Sequence, residues 1–535
     1  MRLYFTLIKN TKAKAIQCGF EQMNILCIMD TFSFETFKYE ANFIQVTPND
    51  WKDVCQTVKP DLLFVESVWQ GKDHTWKGKI SEISNEIIEI IAWAQQNNIP
   101  TVFWHKEVPP HFFTFMRVSK LFDFIFLTDE NCIDRYKKSV AHERVYVLPF
   151  GCQPKIHNPV TTGSREQAAF FAGTYYPHYK YPIRAENFDA LFDAISRYVD
   201  IHIYDRLDGK GKYRFPSKYT NHVHGSVPFS EMKNIYKKYQ FGINMNSVKN
   251  SNTMYSRRVL ELMASNTFVV GNHSDGIKKE FGDVMICSDD YKVIESSFKQ
   301  IFSDQDVRQS LTLQGLRKVL KNHTCGQRLA AVYTAVNGIL QDISPQVPTV
   351  VLADCKESND IDQVVEMFDQ QTCGNRKLYI VTKAKHDHVV HKHALLFEDG
   401  SDAIKAMFLQ HDAFFLSIFN PHSFYGANYL LDMILAFHFA QVDTVTKPGS
   451  YDEKNNRFYQ KNHFSEYTYA EYFYTSCSMM TSSFVKNLTY TQLVKEKIEA
   501  KCLVIDRFNY CKDQRLCPSI SVMKNTVAGD KTLPV

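Results

Sequence analysis

Arg257 and Arg258 stand side by side in "NSNTMYSRRVLELMAS", where a small polar loop feeds a helix that starts near Ser256. Cations in the first turn of a helix oppose its dipole, so a bound anion beside them would explain their presence. Glu261, one turn further on, could accept two hydrogen bonds from a ribose diol. The alternative is a pair of solvated arginines, one of them paired with Glu261 across the turn. A second group closes an apolar run in "FWHKEVPP", where His105, Lys106 and Glu107 stand before two prolines. At a strand end that faces a cleft, Glu107 or His105 could take the proton of an acceptor hydroxyl. Structural loops also carry such triplets.

Two further clusters have plainer readings. "HDHVVHKH" gathers His386, His388, His391 and His393, which invites zinc, yet no Cys or acid pair at fixed spacing accompanies them. A solvated histidine loop is expected, and no metal site. Trp69 and Trp76 flank the polar loop "WQGKDHTW"; sugar faces pack on indoles, and wedged core tryptophans are the alternative.

These groups need elements to hold them. "NILCIMD", "PDLLFVESVW", "PTVFWHKE", "FDFIFLTD" and "VYVLPFG" read as strands, and "SEISNEIIEIIAWAQQNN" as a helix with Ile83, Ile87, Ile90, Ile91 and Ala94 on one stripe. In "PPHFFTFMRVSKLF", Phe112, Phe115, Met116 and Ser119 share a helical face, which predicts packing rather than membrane contact. The rhythm restarts with "AAFFAGTYY", "VDIHIYDR", "NHVHGSVP", "QFGINMN" and "NTFVVGN" as strands. After "QDISPQVPT" a third α/β unit opens with "TVVLAD", an amphipathic helix and "KLYIVTK", and ends with a helix near "TQLVKEKIEA". The organisation predicted is an α/β chain: two Rossmann-like domains over 1–160 and 161–340, then a third over 346–535.

Bulk properties narrow the class. At 535 residues the chain exceeds one core, and 62 basic against 58 acidic residues leave a formal charge of +4 with no basic run to track phosphates. Nucleic acid is therefore not an expected partner. The 13 cysteines are scattered and lack C-x-x-C spacing, which fits a reducing compartment. No segment offers about 18 uninterrupted apolar residues. A cytoplasmic protein is expected, with the inner face of the membrane as a surface it could touch peripherally.

Several motifs in one order carry a resemblance over roughly residues 20–340 in register. "KPDLLFVESVWQG", "FWHKEVPPHFFTF", "FDFIFLTDENCIDRY", "LPFGCQPKIHNP", "FFAGTYYPHYKYPIR", "IYDR" and "SRRVLELMAS" together resemble spore-maturation, CgeB-like glycosyltransferases of the GT-B fold. Within that resemblance "ELMASNTFVVGN" stands where GT-B enzymes bind the donor, with Glu261 at the ribose position. The family-4 type has a Glu eight residues earlier; here that residue is Thr253, a departure from the retaining pattern. The resemblance implies a diphosphate near Gly173, Thr174 and Tyr175 in "FAGTYYP", with Arg184 as its partner or else in a surface ion pair. It implies a nucleobase read by the backbone of Gly225 and Val227 in "HVHGSVP", a plain strand end being the alternative.

The third unit resembles family-2, GT-A type glycosyltransferases. Their acidic metal loop appears here as "FNPHSFYGANYLLDM", which keeps Tyr425, Gly426, Asn428, Tyr429 and Leu430 without the acids. Asn420, His422 and Ser423 are poor ligands for a hard divalent cation, so a degenerate module is expected, one that packs, holds a polymeric acceptor or forms a homo-oligomer. The function implied is transfer of a sugar from a nucleotide-sugar donor to a glycan, teichoic-acid or other surface-polymer acceptor, with no cofactor required. A non-catalytic scaffold and a nucleotide-sugar epimerase, which shares the two-domain fold, are the alternatives.

Overall fold

A computed structural model describes residues 20, 22–161, 163–177, 182–208, 213–339, 347–384, 394–448, 451–454, 457–460, 464–494 and 497–512. The histidine cluster at 386–393 lies outside them. Contacts divide the chain into two compact units, one holding 17–159 with 163–343 and the other holding 344–531 with 160–162 and the N-terminal 1–16.

The first sheet contains β1 (Asn24–Ile28), β2 (Asn42–Gln45), β3 (Leu62–Glu66), β4 (Thr101–His105), β5 (Phe124–Leu127) and β6 (Val145–Val147), in the spatial order β2-β1-β3-β4-β5-β6. Every pairing is parallel. Such strands are covered on both faces, which explains their near-continuous apolar runs. One face packs on Ile87, Ile90, Ile91 and Ala94 of the helix Asn85–Gln96. Ile83 falls outside that helix, with φ +60°. Phe112, Phe115 and Ser119 of the helix Phe112–Ser119 are buried as predicted, Met116 only partly.

The second sheet contains β7 (Glu166–Gly173), β8 (Ile201–Asp205), β9 (Tyr239–Asn244), β10 (Phe268–Gly271) and β11 (Ile286–Cys287), in the order β11-β10-β9-β7-β8 and again all parallel. The expected strand "NHVHGSVP" does not form. It contributes one isolated bridge, Ile203 to Val223, because a 3-10 turn over Ser217–His222 delivers it at the sheet edge. Both sheets are α/β with Rossmann-like connections. Each reverses its strand order once, between β1 and β3 in the first and between β7 and β9 in the second. Ligands bind sheets of this kind in the crevice beyond the strand ends at such reversals.

The other unit has a mixed eight-stranded sheet built on β12 (Thr349–Cys355), β13 (Arg376–Thr382), β14 (Ala394–Phe397) and β15 (Phe415–Phe419). The stretch expected as a terminal helix gives only the turn Tyr490–Leu493 and then the short strand Lys497–Ile498. The "FYGANYLLD" frame is core. Tyr425 stacks on Phe419 with centroids 3.9 Å apart, and its hydroxyl donates to the Ser476 carbonyl at 2.7 Å. Buried Lys447 reaches Asp506 at 2.7 Å and Asp432 at 3.1 Å, both carboxylates being buried too.

Removing Lys447 would leave two buried carboxylates facing each other, which typically costs about 3–5 kcal/mol. All five tryptophans lie between residues 51 and 104, so their fluorescence reports only the first sheet. In urea, Lys447→Met is expected to add an early transition by circular dichroism that tryptophan fluorescence does not see.

Candidate functional site

At the reversal of the first sheet, Asp30 follows β1, Glu66 ends β3 and Lys106 follows β4. Lys106 Nζ donates to Glu66 Oε1 at 2.7 Å and to Asp30 Oδ2 at 3.1 Å, and all three residues are buried. Asp30 also accepts the backbone N–H groups of Trp69, Gln70 and Gly71 at 3.2, 2.9 and 2.9 Å. Burial works to raise the Asp30 pKa, but Lys106 and these three donors outweigh it and hold the carboxyl below its ordinary range. Burial dominates at Glu66 and pushes its carboxyl up, with Lys106 pulling the other way. Lys106 is therefore a positioning residue that fixes the loop after β3, not an acid or base open to an acceptor.

His105 departs from expectation in the same way. Its ring packs against Phe103 and Phe115, Nδ1 pairs with the Tyr136 hydroxyl, and the residue is 0% exposed. Burial, with His111 adding to it, pushes its pKa down to about 3. A neutral, enclosed imidazole cannot collect a proton from an acceptor hydroxyl, so His105 is a core residue. Glu107 is half-buried, and among the described residues its carboxylate makes no hydrogen bond or ion pair. Of the triplet, Glu107 alone keeps a free proton acceptor.

At the reversal of the second sheet, β7 ends at Gly173. A Cβ there would meet the Phe171 ring at 2.8 Å, so the missing side chain makes room for Phe171. Thr174 is half-buried, whereas Tyr175 is buried in the core with Phe188 and Tyr219, and burial pushes its phenol up to about 12. Tyr175 therefore packs the domain and does not line the crevice. Arg184 lies over the neighbouring Tyr176 ring at 4.7 Å and donates to Ser247 Oγ at 2.9 Å, beyond the end of β9. The surface ion pair offered as its alternative is not formed among the described residues.

The helix bearing the arginine pair spans Arg258–Ala264, shorter at its start than expected, with Arg257 at its N-cap. Arg257 pairs with Glu261 at 3.3 Å and lies 3.9 Å over the Phe32 ring of the first half. Glu261 is 2% exposed; its Oε2 accepts from the Tyr236 hydroxyl at 2.7 Å, and His157 stands 3.9 Å from Oε1. Burial works to raise its pKa, but Arg257 and His157 hold it below the ordinary range. A ribose diol would have to displace Tyr236 or Arg257 to reach it, so Glu261 first anchors its own helix. Arg258 differs. Among the described residues it makes no ion pair or hydrogen bond, and its Nε is buried without a partner. Burial draws Arg184 below its ordinary pKa, and the like charge of Arg258 acts in the same direction. Arg258 also helps hold Glu261 low, but neither Arg184 nor Arg258 forms an ion pair among the described residues.

Thr253 serves a different purpose from the one implied for it. Its hydroxyl donates to the Thr128 carbonyl at 2.9 Å and accepts from Glu130 N–H at 2.9 Å. Beside it, Ser251 donates to Asp129 and Asn252 to Glu130, both at 2.7 Å. This clasp joins the ends of β5 and β9. Gly225 has φ +79°, a value that favours glycine, and Val227 packs against the core behind it.

Asp30, Glu66 and the asparagines Asn244, Asn246 and Asn272 were missed by sequence reasoning. Asn246 accepts from Ser256 N–H at 3.1 Å and receives Asn272's carboxamide oxygen on its own N–H at 2.6 Å, which shapes the loop before the arginine helix. The signal was a single polar residue ending each apolar run, in "ILCIMD", "LLFVE", "INMN" and "VVGN".

Residues 186–334 match the family model described as glycosyl transferase-like. A glycosyl transferase-like domain therefore runs through most of the second half, includes Arg258 and Glu261, and begins two residues after Arg184. The comparison with curated proteins gives no match. Among solved structures, sucrose-phosphate synthase from Thermosynechococcus elongatus is 10% identical, covers 59% of this chain and 100% of its own, and has a TM-score of 0.40. The Anabaena protein HepE, solved in complex with UDP, gives the same values: 10% identity, 59% and 100% coverage, TM-score 0.40. An alpha1,3-fucosyltransferase solved with GDP is 14% identical, covers 63% of this chain and 96% of its own, with a TM-score of 0.34. Among the described residues no helix is long and apolar enough to cross a membrane.

The burial of His105 sets a pH dependence. The unfolded imidazole binds its proton near the ordinary 6.5, whereas the folded one resists to about 3. Its contribution is complete above that ordinary value and falls away as the pH drops towards about 3, by about 1.4 kcal/mol per pH unit. His105→Asn keeps a polar partner for Tyr136 and removes the titration. Between about pH 7 and about pH 5 the variant should lose roughly 2 kcal/mol less stability than the wild type, measured by urea denaturation.

Proposed function

We propose that the chain is a glycosyltransferase whose second crevice holds a nucleotide-sugar donor by its diphosphate and whose first crevice presents the acceptor. The observation that carries this reading is Arg258, whose Nε is buried without a partner inside the glycosyl transferase-like domain, with Arg184 held beyond the end of β9 and in no ion pair among the described residues. Guanidiniums match phosphate oxygens in a two-point fork. They would also stabilise the charge that develops on the departing diphosphate. Gly225 and Val227 would read the base through their backbone, and Thr174 would border the phosphates.

Glu107 is assigned as the base. It takes the proton of the acceptor hydroxyl, whose oxygen bonds the anomeric carbon. The bond from that carbon to the diphosphate oxygen breaks, and the nucleoside diphosphate leaves with the electron pair. With arginines compensating the charge, transfer needs no divalent ion. The acceptor class proposed is a glycan, teichoic-acid or other bacterial surface polymer, met in the cytoplasm or at the inner face of the membrane. The third unit, a degenerate GT-A-like module in this reading, packs, holds polymer or pairs with a second copy.

A second reading, a sugar-nucleotide scaffold without turnover, is favoured by Thr253, whose hydroxyl the clasp occupies where the family-4 type has an acid. Turnover separates the two. Arg258→Gln and Arg184→Gln should each weaken UDP or GDP binding by roughly 10- to 100-fold in calorimetry. Glu107→Gln should leave that binding intact and lower nucleoside diphosphate release by roughly 100-fold or more. Release that persists in chelator supports the arginine chemistry. No release with any common donor, despite nucleotide binding, would establish the scaffold.

A further inference from the structure

Beside the first crevice Trp69 is exposed to solvent, unlike the other four tryptophans. Trp69 is 39% exposed, whereas Trp76 of the same loop is 0% exposed and donates its indole N–H to the Val46 carbonyl at 2.8 Å. Trp51 and Trp104 are buried and Trp93 half-buried. Trp69 is braced edge-on by His111 and Phe115, with centroids 4.9 and 5.3 Å away. His111 belongs to the turn that Glu107 opens, its N–H donating to the Glu107 carbonyl at 3.0 Å.

What lies beneath Trp69 is costly. Water could satisfy the N–H groups of an exposed loop, yet those of Trp69, Gln70 and Gly71 all end on Asp30, which Lys106 and Glu66 hold in turn. Burying three ionisable groups gains little stability and fixes geometry instead. The loop is preorganised, and an indole is what it presents.

We infer that Trp69 is the platform on which an acceptor saccharide lays the apolar face of a pyranose ring, within reach of Glu107; this rests on the glycosyltransferase reading. A nucleotide could also stack on an indole, but the lysines of this crevice are already matched. Lys106 faces Asp30 and Glu66, and Lys72 stands 3.6 Å from Asp50. The surroundings suit a neutral, hydroxyl-rich ligand, with exposed Gln70 and His111 at the rim.

The test uses the full chain and its own fluorescence, with maltotriose, cellotriose and chitotriose as probes at millimolar concentration and UDP and GDP as controls. At least one trisaccharide is expected to shift the emission and shield it from acrylamide quenching. Trp69→Phe should lose that signal, and Trp69→Ala should weaken the same sugar by roughly tenfold in calorimetry. UDP and GDP should raise the melting temperature equally in wild type and both variants without shielding the emission. Failure of every trisaccharide, or shielding that survives in Trp69→Phe, overturns the platform, as does shielding by UDP or GDP alone. If neither nucleotide raises the melting temperature, the donor reading fails instead, independently of the sugar result.

Discussion

A buried lysine set between two carboxylates ties strand ends together in two of the sheets of this chain. In the first sheet Lys106 is matched by Asp30 and Glu66, and in the third unit Lys447 is matched by Asp432 and Asp506. Both sets are buried, and in both the cation is already neutralised. Beyond the second sheet neither Arg184 nor Arg258 forms an ion pair among the described residues, and Glu261, one turn from Arg258, is held by Arg257 and Tyr236. Unpaired buried charge is expensive unless a ligand supplies its partner. Charge balance therefore distinguishes the strand ends of the second sheet, where two arginines lack an ion pair among the described residues, from those of the first, where the lysine is matched.

Much of the architecture was legible because parallel strands covered on both faces leave unbroken apolar runs, as in "PTVFWH" and "QFGINMN". The edge strands β2 and β11 were not, since "NFIQ" and "IC" are short and half polar. At the site, Arg258 was read from its place in the first turn of a helix and Arg184 from the resemblance, and the structure adds that neither forms an ion pair among the described residues. His105 could have been placed. Strand side chains alternate, so it shares a face with Phe103, and that face packs on Phe115. Asp30 and Glu66 could not, because their meaning depends on Lys106, which lies 76 and 40 residues further along the chain. Tyr175 and Tyr176 differ by one position in an irregular turn, and periodicity does not say which of them faces the core.

In the third unit the "FYGANYLLD" segment is fixed by packing. Tyr425, Tyr429 and Tyr510 form one aromatic cluster, with Tyr425 centroids 4.9 and 5.4 Å from the other two. Gln371 donates to the Gly426 carbonyl at 3.0 Å and accepts from Leu430 N–H at 3.1 Å, so the loop is tied to the helix before β13. Packing and these hydrogen bonds alone account for Tyr425, Gly426, Tyr429 and Leu430, with no ligand needed to explain them.

The two Rossmann-like halves are joined at the same strand ends that make up the crevices. Ser251, Asn252 and Thr253 bond to the loop after β5, so the chain entering the arginine helix is held by the first half. A second link runs through Phe32, whose ring has Lys106 at 4.0 Å and Arg257 at 3.9 Å. Arg257 in turn holds Glu261, which stands one turn along the same helix from Arg258. Any displacement of the triad under Trp69 must therefore disturb either a cation–π contact or the Arg257 pair, each of which loses energy steeply with distance. At Thr253 one hydroxyl both gives and takes a hydrogen bond across the halves. An ionised acid there could accept from Glu130 N–H, but it would repel the Thr128 carbonyl, so the present clasp requires a group that donates as well as accepts.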